Sequence, residues 1–561
     1  MTRRLVECVP NFSEGKNMSI IKQITDAIES VEGVKLLDVD PGKDTNRTVV
    51  TFVGEPEPVA EAAFRAMKKA SEVIDMSKHK GEHPRFGATD VCPFIPISGV
   101  TMEECVELAR KVGERVGTEL SIPVYLYEYA ATEPKRKNLA SVRAGEYEGI
   151  PEKIAKPEWK PDFGPAKFNA KSGNVAISAR DFLVAYNVNL NTTSERRANS
   201  IAFDVREAGR IKREGNPITG PVVKDEHGNA VRIPGTLKAV KAIGWYIEEY
   251  GVAQISMNLT NITITPVHIA FDEVVKSANS RGIRVTGSEL VGLIPLKSLL
   301  DAGKYFLEKQ QRSTGVAESE LVKIAVKSLG LDDLKPFDPK KRVIEYLLND
   351  PADSRLVSMD LKAFANETAS ESAAPGGGSI AAYSGALGIS LATMVANLSS
   401  HKRGWDDRWQ EFSTWAAKGQ AIKDQLIKLV DEDTRAFNAI MAAFALPKGN
   451  DAEKAARKLA VQAATKYAIE VPFKVMELSL ESMTMIKAMA EIGNPNSVTD
   501  AGVGALCART AVLGAFLNVK VNAGGLDDKT FANDMVQRGE TLVAEANKLE
   551  QEIWAVVNGK I

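Results

Sequence analysis

The first 330 residues alternate between short apolar, β-branched runs and longer amphipathic ones. VKLLDVD (34–40), RTVVTFVG (47–54) and SIPVYLYEYA (121–130) have the length and residue types of strands. Between them, PVAEAAFRAMKKASEVI (58–74) and TMEECVELARKVGERVG (101–117) repeat apolar positions at the spacing of helices. Thr101 stands three residues before Glu104, so each side chain can satisfy the other's backbone donor at a helix start. A second set opens with NVAISARDFLVAYNVNL (174–190). A helix over 194–209, the strand AQISMNLTN, a helix after Thr265 and IRVTGSELVGLIP follow. Strand, helix, strand, strand, helix, strand is the order of a split βαβ, ferredoxin-like sandwich. The pattern therefore predicts two α/β subdomains, 1–180 and 181–330. The proline-rich stretch 149–173 reads as a connection laid across their junction, where ligands tend to bind.

The texture changes at LDDLKPFDPKKR (331–342), and a linker is expected over 331–345. Beyond it, 346–561 is rich in Ala, Leu, Lys and Glu with long 3.6-period runs. Helices are expected over 379–400, 410–445, 451–492, 497–522 and 527–558, forming an all-α bundle. Pro472 falls inside the third and is expected to kink or split it. Small residues in AGVGALCARTAVLGAF permit close helix approach, including to a second subunit.

Composition narrows the class. With 561 residues, 44% apolar and 26% charged, the chain has material for several globular cores. The net charge of -2 supplies no excess of cations to attract nucleic acid or an anionic membrane. Cys8, Cys92, Cys105 and Cys507 form no CxxC pair and stand at no metal-ligand spacing, which suits a reducing cytoplasm. The start of the chain lacks the apolar run of a signal peptide, and the apolar stretch 380–398 reads as a tightly packed buried helix.

The densest polar constellation is KHKGEHPRFG (78–87). His79 and His83 beside Lys78, Lys80 and Arg85 can supply an acid or base next to an anion-attracting surface; the alternative is a solvated basic loop. A metal held by the two histidines is the weaker reading, because only Asp90 offers a third ligand. Asn11, Glu14, Asp38, Asp40, Asn46 and Arg47 lie at strand ends, where residues either face a cleft or shape turns. In the second half, PGGGS (375–379) exposes backbone donors at a helix start, with Ser379 able to cap. The segment LVDEDTRAF (429–437) puts three acids in one helical turn. Asp431 and Arg435 are spaced to pair, whereas Asp433 points elsewhere, to solvent or to the bundle core.

These runs carry a resemblance. CVPNFSEG, LLDVDPGKDTNRTVVTFVG, KHKGEHPRFGATDVCPFIPI, DFGP, IGWYIEEYGVAQISMNLTN and SELVGLIPLKSLLDA together resemble the formiminotransferase domain. SAAPGGGSIAAYSGALG, LVDEDTRAFNAIMAAFALPKG and GNPNSVTDAGVGAL resemble the cyclodeaminase domain that follows it in the formiminotransferase-cyclodeaminase family. The resemblance implies a bifunctional enzyme of histidine degradation. One half transfers the formimino group of N-formimino-L-glutamate to tetrahydrofolate; the other closes the ring to methenyltetrahydrofolate with release of ammonia. It implies tetrahydrofolate as co-substrate, with or without a polyglutamate tail, no metal, and a cytoplasmic homo-oligomer built from dimers.

The family's catalytic histidine falls on His83 and its folate segment on Gly164, Pro165, Ala166, Lys167, Phe168, Asn169, Ala170, Lys171, Ser172 and Gly173. Within that segment the glycines, Pro165 and Phe168 match best. The cyclodeaminase proton donor falls on Asp433, with Asp431 as the alternative. The stretch 211–237 is longer than the family pattern and is expected to form a hairpin or lid extension. Two other readings stay open: one half is inactive and serves for assembly or binding, or the helical half acts as a methenyltetrahydrofolate cyclohydrolase.

Overall fold

The structure, a computed structural model, describes residues 4–43, 45–81, 84–216, 219–348 and 354–561. It divides into two compact units, Met1–Ser298 with Leu329–Leu348, and Leu299–Ser328 with Asn349–Ile561.

In the first unit, β1 (Leu5–Cys8), β2 (Asn11–Phe12), β3 (Val34–Gly42), β4 (Arg47–Gly54), β5 (Thr89–Ser98), β6 (Val124–Glu128) and β7 (Val175–Ala179) form one sheet. β1 and β2 lie end to end between β4 and β5, which gives the order β3-β4-β1/β2-β5-β7-β6. Because side chains alternate across a strand, Val6, Cys8, Phe52, Cys92, Phe94 and Leu126 pack under α1 (Met18–Glu29), α2 (Pro56–Val73) and α3 (Met102–Glu119). The intervening Glu7, Val9, Thr51, Val91, Pro93 and Tyr127 face the opposite side, toward a cleft. The capping box expected at Thr101 and Glu104 is formed.

Two sequence expectations are corrected here. The NVAIS run does not open the second subdomain; β7 inserts between β5 and β6, parallel to both, with all five residues buried as a central strand requires. The stretch 149–173 does not cross a junction but folds back on the first sheet. After α4 (Leu139–Arg143), Ile150 and Ile154 of α5 (Ile150–Ile154) pack with Phe86, Tyr125 and Tyr127. Lys153 Nζ donates to the carbonyls of Ser141 and Val142 at 2.8 and 2.6 Å, tying α5 to the end of α4.

The second sheet holds β8 (Val184–Leu190), then α6 (Glu195–Val205), the small antiparallel pair β9 (Arg210–Ile211) and β10 (Arg232–Ile233), β11 (Val240–Ile247), β12 (Val252–Leu259), α7 (Val267–Asn279) and β13 (Val285–Val291). Its order β11-β12-β8-β13, antiparallel throughout, is the ferredoxin-like arrangement. The first sheet repeats that order as β3-β4-β1/β2-β5 and adds β7 and β6 at one edge. Within the stretch 211–237 the described residues pair antiparallel as expected of a hairpin, through β9 with β10 and the bridge of Arg213 to Val222.

α8 (Leu296–Lys309) and α9 (Glu318–Leu329) come next, and 299–328 belong to the second unit. There Asn397 and Gln420 both donate to the Gly315 carbonyl, at 2.8 and 3.1 Å. Residues 331–345 carry α10 (Pro339–Arg342) and the start of α11 (Ile344–Leu348), and they close on the first unit: Val343 bridges Ile294, and Leu296 N donates to Glu345 at 2.7 Å.

The second unit is an all-helical bundle of α12 (Leu361–Thr368), α13 (Gly377–Ser400), α14 (Trp409–Ala445), α15 (Asp451–Ile492), α16 (Val498–Gly524) and α17 (Lys529–Asn558), together with 299–328. Ile389, Phe412, Met476, Ile486 and Val512 form its core. The apolar stretch 380–398 lies within α13, whose residues Ala382, Ala386, Ile389 and Val395 are buried there. α13 and α16 approach at Gly388 and Gly504, where any side chain would strike the other backbone. Pro472 does not split α15, which runs unbroken through it. The missing proline N–H leaves the Ala468 carbonyl without its helical donor, and the Asn522 side-chain amide of α16 donates to that oxygen at 2.8 Å.

Candidate active sites

Three sequence motifs of the first unit interlock at Asn46. Its backbone takes the left-handed conformation (φ 48°) that asparagine tolerates. The Asn46 side chain accepts from Gly15 N at 3.0 Å and donates to the Lys80 carbonyl at 2.8 Å. NFSEG, the DTNR turn and the histidine loop are thereby pinned together. Gly81 lies so close to the Thr45 carbonyl that no side chain fits there. His79 Nε2 lies 2.8 Å from the Asn46 carbonyl oxygen. Burial, with the charges of Arg85 and Lys16, holds the His79 imidazole below its ordinary pKa, against the opposing pull of Asn46 and Glu14. His83 lies outside the described residues.

Next to this loop, Asp90 is fully buried and accepts from Arg47, Arg143 and, at 2.9 Å, Phe86 N. One carboxylate between two guanidiniums leaves an excess of positive charge facing the cleft that both arginines line. Arg47 also donates to Asn11 at 3.0 Å, so Asn11 and Arg47, both candidates from the sequence, join one network. Glu14 serves locally, accepting from Lys16 N and Asn17 N ahead of α1.

The cleft has a volume of about 980 Å³ and is walled by the first sheet and by residues of the second subdomain that include Phe182, Lys241, Asn258 and Asn261. Asp38 and Asp40 line it. Burial and the neighbouring charge of Asp40 raise the Asp38 pKa. Glu7 is 2% exposed, and burial pushes its pKa up to about 7 although Arg180 pulls it down. Sequence reasoning missed Glu7, Arg143 and Arg180. The available signal for Glu7 was a lone acid in the apolar run LVECV.

The segment 164–173 lines no part of this cleft; it is tied to the chain at both ends of the histidine loop. Lys171 O accepts from Met76 N, and Ser172 O accepts from Ala88 N. Gly164 and Gly173 both take positive φ. Phe168 packs on Tyr147 with ring centroids 5.5 Å apart, and Arg85 lies over the same tyrosine ring at 6.0 Å. Gly164 to Ala166, Lys167 and Ala170 are exposed beside these aromatic and cationic groups.

In the second unit the three acids of α14 point in three directions. Asp431 is buried and accepts from Leu356 N at 2.8 Å and Val357 N at 3.2 Å. Glu432 accepts from Arg435 and from the Tyr467 hydroxyl. Asp433 reaches the glycine turn at the start of α13. Ser379 Oγ donates to Asp433 Oδ2 at 3.1 Å and to the Val430 carbonyl at 2.8 Å. Asp433 fills the space in which a Gly378 side chain would stand. Burial raises the Asp433 pKa, opposed by hydrogen bonds from the Ser379 side chain and backbone. PGGGS and DEDTRAF, more than fifty residues apart in sequence, thus make one site with a shielded acid.

Comparison with known proteins gives three family matches along the chain. Residues 5–180 match the formiminotransferase domain, N-terminal subdomain; residues 185–349 match the formiminotransferase domain; and residues 360–541 match the family described as formiminotransferase-cyclodeaminase. The formimidoyltransferase-cyclodeaminase of Mus musculus is 44% identical over 544 residues, covering 97% of each chain. The glutamate formimidoyltransferase of Streptococcus pyogenes is 43% identical over 305 residues, 54% of this chain and 94% of that one. A methenyltetrahydrofolate cyclohydrolase of Methylorubrum extorquens is 38% identical over 201 residues, 36% of this chain and 97% of that one.

Proposed function

Because the chain belongs to the formiminotransferase-cyclodeaminase family, we propose that it performs both reactions, transfer in its α/β part and deamination in its helical part. It is a bifunctional formimidoyltransferase-cyclodeaminase of histidine and folate metabolism. The transferase is carried by 1–180 and 181–330 with the 331–345 stretch that closes on them, and the cyclodeaminase by 346–561.

In the transferase, N5 of tetrahydrofolate attacks the formimino carbon of N-formimino-L-glutamate. N5 loses a proton, the bond from carbon to the glutamate nitrogen breaks, and that nitrogen takes a proton to leave as glutamate. His83 accepts the first proton and returns it to the leaving amine. Lys137, Arg143 and Lys241 line the cleft as counter-charges for the substrate carboxylates. Gly164 to Gly173, beside Phe168, Tyr147 and Arg85, carry the remainder of the folate, whose tail is mono- or polyglutamylated. His83→Ala tests the assignment: transfer should fall about 10²- to 10⁴-fold while deamination of supplied formiminotetrahydrofolate continues. Near-normal transfer would overturn it.

In the cyclodeaminase, N10 attacks the formimino carbon and its proton passes to the imine nitrogen, which forms a tetrahedral centre that bears an amino group. Asp433 donates the proton with which ammonia leaves, and methenyltetrahydrofolate remains. The observation that carries this reading is the placement of a shielded carboxyl with raised pKa at the glycine turn. The likeness of 36% of the chain to a cyclohydrolase supports a second reading, in which the same acid serves hydrolysis of methenyltetrahydrofolate. Supplying formiminotetrahydrofolate and following ammonia together with methenyl absorbance separates the two. Exposed Phe437, Met441, Phe444, Leu517 and Val521 on the bundle support a homo-oligomer; assembly from dimers, in the cytoplasm, is the reading carried over from the family, and the particle mass in solution tests the assembly.

A further inference from the structure

Glu7 is a buried carboxyl without an assigned task. It projects from β1 into the cleft, and no hydrogen bond from a described residue reaches its carboxyl. A buried charge-bearing group left without a donor is costly unless a ligand supplies one. Arg180, whose charge pulls against burial and the charge of Glu345, donates to the Asp181 carbonyl at 3.0 Å. The Glu7 carboxyl thus stands in the wall of the cleft with no donor from a described residue.

We propose that Glu7 is the docking point in the cleft for a planar N–C–N group that presents two parallel N–H donors. A carboxylate matches such a fork with two hydrogen bonds, the geometry familiar from guanidinium pairs. Resting on the transferase reading above, the inference names what that cleft selects. Two groups of the reaction have this chemistry: the 2-amino-pyrimidinone edge of the pterin ring, and the formamidine of formiminoglutamate. Strand geometry favours the pterin edge. Glu7 stands four residues from Asn11 along β1 and β2, about 13 Å in extended chain. Asn11 binds Arg47, which neighbours the histidine loop. The pterin N–C–N edge lies on the ring opposite the nitrogen that takes the formimino group, so a ring reacting beside the histidine loop turns that edge toward Glu7.

The test is steady-state transfer by the full chain with both substrates varied, comparing wild type with Glu7→Gln after a melting curve has verified folding. The KM for tetrahydrofolate should rise roughly 10- to 100-fold, with kcat changed far less. A tetrahydrofolate lacking its 2-amino group should lose as much against wild type and lose nothing further against Glu7→Gln. A rise in the KM for formiminoglutamate instead would keep the fork and assign it to the formamidine. If neither KM moves, the role of Glu7 is overturned. Lys241→Glu, a second change within the cleft, separates the two failures: if it raises a KM, only the Glu7 role has failed, whereas if it too has no effect, the cleft is not the transferase site.

Discussion

The Asp433 carboxylate lies against Gly378, in the space that any side chain at that residue would occupy. A methyl group there must displace the carboxylate, because the backbone at the start of α13 is fixed by its own helix. Gly378→Ala should therefore lower deamination by about 10²-fold or more, the scale of loss when a reacting group is misplaced by an ångström. Transfer should be unaffected. Gly377→Ala is the control, since its added carbon would stand 3.6 Å from Asn518 Nδ2 in ordinary contact. Equal losses in the two variants would show that backbone freedom, not Asp433, is what the glycines provide.

Asp433→Asn keeps the shape and removes the acid. Deamination should collapse, formiminotetrahydrofolate should accumulate, and the melting temperature should change little. Asp431→Asn should behave in the opposite way. It places an amide N–H against Val357 N, which now donates to Asp431 at 3.2 Å, and should cost about 1–3 kcal/mol of stability, with activity following the folded fraction. A mutant pattern reversed from this would assign the proton to Asp431.

Glu7 gives a pH signature in stability. Its pKa rises from 4.5 to about 7 on folding, so between those values the folded state binds the extra proton. Stability therefore falls as pH rises through that window, by about 3 kcal/mol at its alkaline end. Glu7→Gln removes the titration. The variant should unfold at higher denaturant than wild type at pH 8, and the gap should largely close at pH 4.5. A gap independent of pH would contradict the burial of an ionisable Glu7.

Asn522 and Pro472 should be coupled. Asn522→Ala leaves the Ala468 carbonyl without a donor and should cost about 1–3 kcal/mol. In a Pro472→Ala background the helix supplies its own N–H, and the same Asn522→Ala change should cost much less. Denaturant melts of the four proteins give the coupling directly; additive costs would mean that Asn522 acts elsewhere.

The stretch 331–348 should matter to the transferase although it lies beyond the sheets. Val343 and Ile344 are 0% and 1% exposed. Burying such side chains contributes about 1.5–3 kcal/mol each. A chain ending at residue 348 should melt higher and transfer more than one ending at 330; equal melting would make the stretch a passive link.

Much of this protein follows from sequence alone. Period-two and period-3.6 patterns located β3, β4, α2, α3 and the long helices, because local propensity and the need to hide one face act within a few residues. Thr101 and Glu104 declared their helix start because a capping box is contained within four consecutive residues. Long motifs named the family for the same reason: they are contiguous. What required the tertiary structure was pairing at a distance. Nothing in NVAIS says that β7 enters the first sheet in parallel, since an apolar run fits either sheet and only the partners β5 and β6 decide. Pro472 predicted a kink or a split by local rules, but α15 is not split, and Asn522, fifty residues later, donates to the carbonyl that the proline leaves without its helical partner. Spacing paired Asp431 with Arg435, but the backbone donors at Leu356 and Val357 claim Asp431, Arg435 and Tyr467 claim Glu432, and the missing side chain of Gly378 makes room for Asp433. Glu7 was invisible as a cleft residue because burial and the lack of a partner are properties of its surroundings, which the sequence of β1 does not contain.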